Sequence, residues 1–131
     1  MRPRDLADRF LAKAAQDEAL VDRVLSDAGI ADELIGFHLQ KAAEKLMKAV
    51  LAAHAIEFRR THDLADLADV LSASGFALPE HLRQLDALNP FAVEARYDFL
   101  PPSSAPLDRQ TMRRQIAALR MWVQETVERA S

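Results

Sequence analysis

The fold this sequence predicts is all-α, an up-and-down helical bundle of about five helices, and three observations predict it. Apolar residues recur at helical spacing in one stretch after another, with no convincing strand among them. Ala and Leu, both strong helix formers, dominate a chain in which the residues AVILMFWYC make up 50%. The three glycines are isolated and the loops between periodic stretches are short, so consecutive helices must lie antiparallel. The 131 residues fit a single domain, 1–131, large enough to bury a core without disulfides or metal.

The first helix is predicted from about Asp5 to Ala28, with Leu6, Phe10, Ala14, Val21, Val24, Leu25 and Ala28 inward and Pro3 where a missing N–H costs little. Gly29 ends it. The second runs from about Asp32 to Ala55, with Ile35, Leu39, Ala42, Ala43, Leu46, Val50 and Ala53 on one broad apolar face. Its other face mixes Leu34, Phe37 and Leu51 with Lys41, Glu44, Lys45 and Lys48, the pattern of a central helix touching neighbours, or a second subunit, on two sides. Thr61 or Asp63 opens the third helix by accepting from its free N–H groups. Leu64, Leu67, Ala68 and Leu71 form its core face, and Gly75 closes it. Pro79 suits the first turn of a fourth helix, which Leu82, Leu85 and Leu88 continue until Asn89 and Pro90 kink or split it. FAVEARYDF still reads as helical to about Phe99. After the loop PPSSAP, Pro101 to Pro106, a fifth helix from about Leu107 turns Met112, Ile116, Leu119, Val123 and Val127 inward.

Charge and composition exclude several function classes. Seventeen Lys and Arg against twenty acids give a net charge of -3, so no protein-wide field attracts polyanions and any nucleic-acid contact has to be a local patch. The absence of cysteine removes disulfides, thiolate metal sites and thiol catalysis together. Four histidines without H-x-x-x-H or E-x-x-H spacing form no metal-ligand set, Ser103 and Ser104 have no activating His nearby, and no glycine-rich phosphate loop exists, so no cofactor is expected. MRPRDLADRF lacks the apolar run of a signal peptide and no stretch approaches a membrane span, which places the chain in the cytoplasm with no membrane partner.

The stretch FHLQKAAEKLMKAVL, Phe37 to Leu51, followed by THDL at Thr61 to Leu64, the Arg96-Tyr97 pair and an amphipathic last helix, resembles the HEPN family over nearly the whole chain. That resemblance implies a bundle of four or five helices, usually a homodimer, often paired with a minimal nucleotidyltransferase in toxin-antitoxin or regulatory systems, and able to bind nucleotide or RNA. Many members are metal-independent RNases carrying Arg, four to six residues, then His. Here the positions five to seven before each histidine hold Glu33, Asp32 and Ala31; Ala49, Lys48 and Met47; Glu57, Ile56 and Ala55; and Phe76, Gly75 and Ser74. None is Arg, and no His follows Arg96 within reach, so the chain departs from the family's catalytic pattern.

The expected site residues are His38, Lys45, Arg59, Arg60, His62 and Arg96, as nucleotide or phosphate contacts and not as acid-base catalysts. Lys41, Lys45 and Lys48 make a cationic stripe at i, i+4, i+7, against which stands the plainer reading of a solvated face partly neutralised by Glu44. Arg59, Arg60 and His62 precede a helix N-terminus, where free N–H groups also favour anions, though exposed loop charges would look the same. Arg96 can hold a phosphate bidentately, or pair with a nearby acid. The functional expectation is a non-catalytic binding and regulatory module. Its rivals are a divergent metal-independent RNase using His38 or His62 as base and a purely structural dimerisation or adaptor domain.

Overall fold

The computed structural model describes residues 2–92 and 106–130. Helix α1 is Pro3–Val24, α2 is Asp32–Ala53, α3 is Leu64–Ala73, a 3-10 helix spans Glu80–Phe91, and α4 is Arg109–Glu128. No strand occurs among the described residues. Long-range contacts fix the directions. Arg4 reaches Glu128 and Arg113 reaches Asp22, so α1 and α4 are antiparallel. Asp32 meets Arg109 while His54 meets Thr126, so α2 and α4 run the same way.

The mixed faces of α2 do place it at the centre, because fifteen of its twenty-two residues are buried. Leu51 is fully buried on the face it shares with the lysines, whereas Leu34 stays largely exposed. Helix α1 packs mostly along α2 through Ala7, Ala14 and Val21, spaced seven residues apart and essentially inaccessible. Small side chains at the seam let two helices come close. Ala7 therefore occupies the inward position expected for Leu6, which is exposed. The helix also stops at Val24, earlier than the predicted Ala28, and Gly29 lies in the loop with its N–H donating to Asp27 Oδ1. Arg109 fastens that loop by donating to the carbonyls of Leu25, Asp27 and Ile30 and to the Asp32 carboxylate.

Helix α3 starts and ends as its sequence signals predict. Asp63 accepts from the Ala65 N–H, and Gly75, at φ 91°, closes the helix in the left-handed region. The fourth helix differs in kind, since Glu80–Phe91 is 3-10. Leu82, Leu85, Leu88 and Phe91 recur every three residues and all are buried, so three residues per turn keeps them on one face where the α period would rotate them away. Pro90 does not split this segment. Instead Asn89 Oδ1 accepts from the Leu64 N–H at 3.0 Å, tying the end of the 3-10 helix to the start of α3. Two residues on, the Phe91 ring lies against the bare Cα of Gly36, where any Cβ would collide with it. The expected helical continuation to Phe99 lies outside the described residues. In α4, Met112, Ile116, Leu119, Val123 and Val127 all face the core as predicted.

Candidate anion-binding site on α2

The site is built along one side of α2, where the i, i+3, i+7 and i+10 spacing of His38, Lys41, Lys45 and Lys48 sets four cationic or titratable side chains in a row. On the α1 side, Asp17 holds two of them. Its Oδ1 is 2.9 Å from His38 Nδ1 and its Oδ2 accepts from Lys45 Nζ at 2.7 Å. On the other side lies Glu44, whose side chain is only 6% exposed. Lys48 Nζ donates to its Oε2 at 3.0 Å, and Lys41 Nζ is 3.5 Å from its Oε1.

His62 completes this second cluster from the connector between α2 and α3. Its Nδ1 lies 2.8 Å from Glu44 Oε1 and 3.2 Å from Lys41 Nζ. One ring nitrogen cannot serve a carboxylate and an ammonium at once, since the first needs an N–H and the second a lone pair. The shorter contact, to a buried carboxylate, fixes Nδ1–H on Glu44. Gln40, fully buried, locks the arrangement by donating from Nε2 to the His62 carbonyl at 2.6 Å. Two aromatic rings border the ammoniums, with Lys41 Nζ 5.3 Å from the Phe37 ring centroid and Lys48 Nζ 5.9 Å from that of Phe58.

Glu44 shows how these groups act on one another. Burial pushes its carboxyl up. Hydrogen bonds from Lys48 and His62, with the charges of Lys48 and Lys41, outweigh that and hold it below the ordinary carboxylate range. The carboxylate is therefore ionised at neutral pH. Counting formal charge, Lys41, Lys45 and Lys48 face Asp17 and Glu44, three against two, before either imidazole takes a proton. The cluster thus keeps one positive charge in excess in a largely desolvated setting, where a surface stripe would be screened.

Of the expected site residues, the structure brings His38, Lys45 and His62 onto this one face. The stripe is not a solvated face, because Lys41, Lys45 and Lys48 are mostly covered and each lies against an acid. Arg59 is exposed and turned toward Asp66 of α3, which Thr61 Oγ1 also reaches. Arg60 is exposed, with no partner among the described residues. Arg96 and Tyr97 lie outside the described residues. Sequence reasoning missed Asp17, although its position three after Ala14 and four before Val21 puts an acid in the inward stripe of α1, where a charge needs a partner. It also missed His54, which binds the Thr126 carbonyl at 3.0 Å and stacks on Phe76, a brace between α2, α4 and the end of α3. No group of three or more His, Asp or Glu side chains that could hold a metal ion occurs among the described residues, and no helix there is long and apolar enough to cross a membrane.

No curated protein and no solved structure matches this chain. The HEPN domain profile matches residues 7–129. That span takes in α2 with its paired lysines, the Thr61 to Leu64 connector and the whole of α4. With nearly the full bundle accounted for, the chain belongs to the HEPN domain family.

Proposed function

We propose that this chain is a non-catalytic nucleotide- or RNA-binding regulatory module whose anion site is the α2 face of His38, Lys41, Lys45 and His62. The observation that carries this reading is the surplus of ammonium charge over carboxylate charge in a half-buried cluster. An incoming phosphate restores balance there without first stripping water from freely hydrated lysines. Arg59 and Arg60 are exposed on the same connector that delivers His62, with Arg59 paired to Asp66. The family setting supports a homodimer acting with a minimal nucleotidyltransferase partner.

Titration of the purified protein with ATP and a short RNA, following thermal shift and RNA integrity in the same samples, tests the reading. Stabilisation without cleavage, weakened in Lys45→Gln and by added salt, is the expected result. Unchanged melting with every anion would sink it.

A second reading, a divergent metal-independent RNase, is favoured by the His62 pair alone. Glu44 orients the ring through Nδ1 while the side chain remains 55% exposed, which suits a general base. Chelator-resistant cleavage that disappears in His62→Ala would establish that reading in place of the first.

A further inference from the structure

The anion cluster has an apolar neighbour. A pocket of about 170 Å³ opens between α1 and the start of α2, lined by Leu20, Val24, Ile30, Leu34, Ile35 and His38. Leu20 and Leu34, which line it, are 43% and 44% exposed. His38 belongs to both places, since its ring lines the pocket while Nδ1 is held by Asp17, the carboxylate that also holds Lys45. Along α2 the order is therefore Leu34 and Ile35, then His38, then Lys41 and Lys45. At the helical rise, Lys41 and Lys45 stand about 5 and 10 Å beyond His38. An apolar hole and a cationic shelf one to two turns apart complement a ligand that carries a compact apolar ring at one end and an anion at the other.

We propose that this pocket receives the base of a bound nucleotide and does so without selecting among bases. The inference rests on the anion-site reading above. It goes further in assigning the ligand's second half and its selectivity. Aliphatic side chains offer a nucleobase van der Waals contact and removal from water, which every base can use. Discrimination between bases needs fixed donors and acceptors aimed at their edges, and apart from the His38 ring this wall is built of Leu, Ile and Val. The protein therefore distinguishes a nucleotide from a sugar phosphate strongly, and one nucleotide from another weakly.

The test is isothermal titration of the full chain with AMP, GMP, CMP, UMP, ribose 5-phosphate and inorganic phosphate, repeated on Leu20→Ser/Leu34→Ser. Both positions are exposed, so the double variant keeps the core intact. The four nucleotides should bind within about threefold of one another and about tenfold or more tighter than ribose 5-phosphate. In the double variant they should fall to the ribose 5-phosphate affinity while ribose 5-phosphate itself is unchanged. Equal binding of nucleotides and ribose 5-phosphate overturns the pocket assignment and leaves the anion site standing. A strong preference for one base overturns the selectivity claim. Failure of all six compounds overturns both readings. If light scattering shows that the double variant converts a dimer to a monomer with affinities unaltered, the pocket is a subunit contact and the proposal is wrong.

Discussion

Asp17 and Glu18 are neighbours in the chain, yet their carboxylates serve opposite sides of α1. Glu18 faces α4, where Arg120 donates to both its oxygens and Arg113 spans Glu18 and Asp22. Asp17 faces α2, where its partners are an imidazole and an ammonium. The α4 side is a closed arrangement. Two guanidinium groups meet two carboxylates, Arg120 also caps the Leu11 carbonyl, and the formal charges cancel. Planar forks of this kind fix geometry. The α2 side is open, with three flexible ammoniums and two titratable rings against two carboxylates. Two ionic networks of similar burial thus differ in chemistry, the first suited to holding helices in register and the second to accepting a further anion.

If that contrast is right, the largest single effect on stability comes from the α4 side. Glu18→Ala leaves Arg113 and Arg120 facing each other without their shared acceptor, and unfolding free energy should fall by about 3 kcal/mol. Urea denaturation measures this directly. Nucleotide affinity of the folded fraction should not change, and a change would show that the two networks are coupled.

Glu44→Gln should cost less, about 2 kcal/mol at neutral pH, through weaker hydrogen bonds from Lys48 and His62. Its pH signature is more telling. A carboxyl held below its ordinary value in the folded state contributes stability that is fully present above the unfolded value and is lost as pH falls through the folded one. The wild type should therefore lose stability on acidification below the ordinary carboxylate range, and the Gln variant should lose less there, so that their melting curves converge at low pH. Asp22, lowered by its hydrogen bond from Arg113, adds an acid-sensitive step that Glu44→Gln leaves in place.

Asp17→Asn sharpens the comparison from the other direction, because it should weaken the fold and strengthen the function. Stability should drop by about 1 kcal/mol as Lys45 and His38 lose a charged acceptor. Phosphate-bearing ligands should bind roughly fivefold tighter, since the competing carboxylate is gone. Tighter binding in Asp17→Asn with no gain in Glu18→Gln would separate the two sides of α1 by function. Equal affinities in all three proteins would mean that the α2 cluster is structural as well.

The helices were legible in the sequence because each carries its own period. Leu64, Leu67, Ala68 and Leu71 could only make one face, and so could Met112 through Val127. The 3-10 character of Glu80–Phe91 was also written there, in an apolar spacing of three that a 3.6-residue template reads as approximate. The ionic networks were legible only by halves. The arginines of α4 at 109, 113 and 120 share a face by spacing alone, and Asp17 and Glu18 lie in the inward stripe of α1. Which acid meets which cation depends on how far α1 slides along α2 and α4, and the alanine seam that sets this carries no pairing code. For the same reason Arg59 looked equal to His62 in the sequence. Gln40 and Glu44 draw His62 onto α2, while Asp66 draws Arg59 toward α3.

The smallest expected effect concerns the turn that launches this connector. Helices α2 and α3 end the same way. Ile56 N–H donates back to the Leu51 carbonyl and Phe76 N–H to the Leu71 carbonyl, both at 2.8 Å, and in each case the residue before the donor has a positive φ. In α3 that residue is Gly75; in α2 it is Ala55, at φ 54°. A Cβ in the left-handed region costs about 1–2 kcal/mol, partly offset in any glycine replacement by the greater freedom of the unfolded chain. Ala55→Gly should therefore stabilise the protein by about 0.5 kcal/mol, read as a small rise in the urea midpoint. Ligand affinity should stay the same, because Gln40 and Glu44 hold His62 from α2 independently of the turn. A loss of affinity would show that the strained alanine, and not the α2 anchors, positions the connector, and would move the open side of the comparison from the helix to the turn.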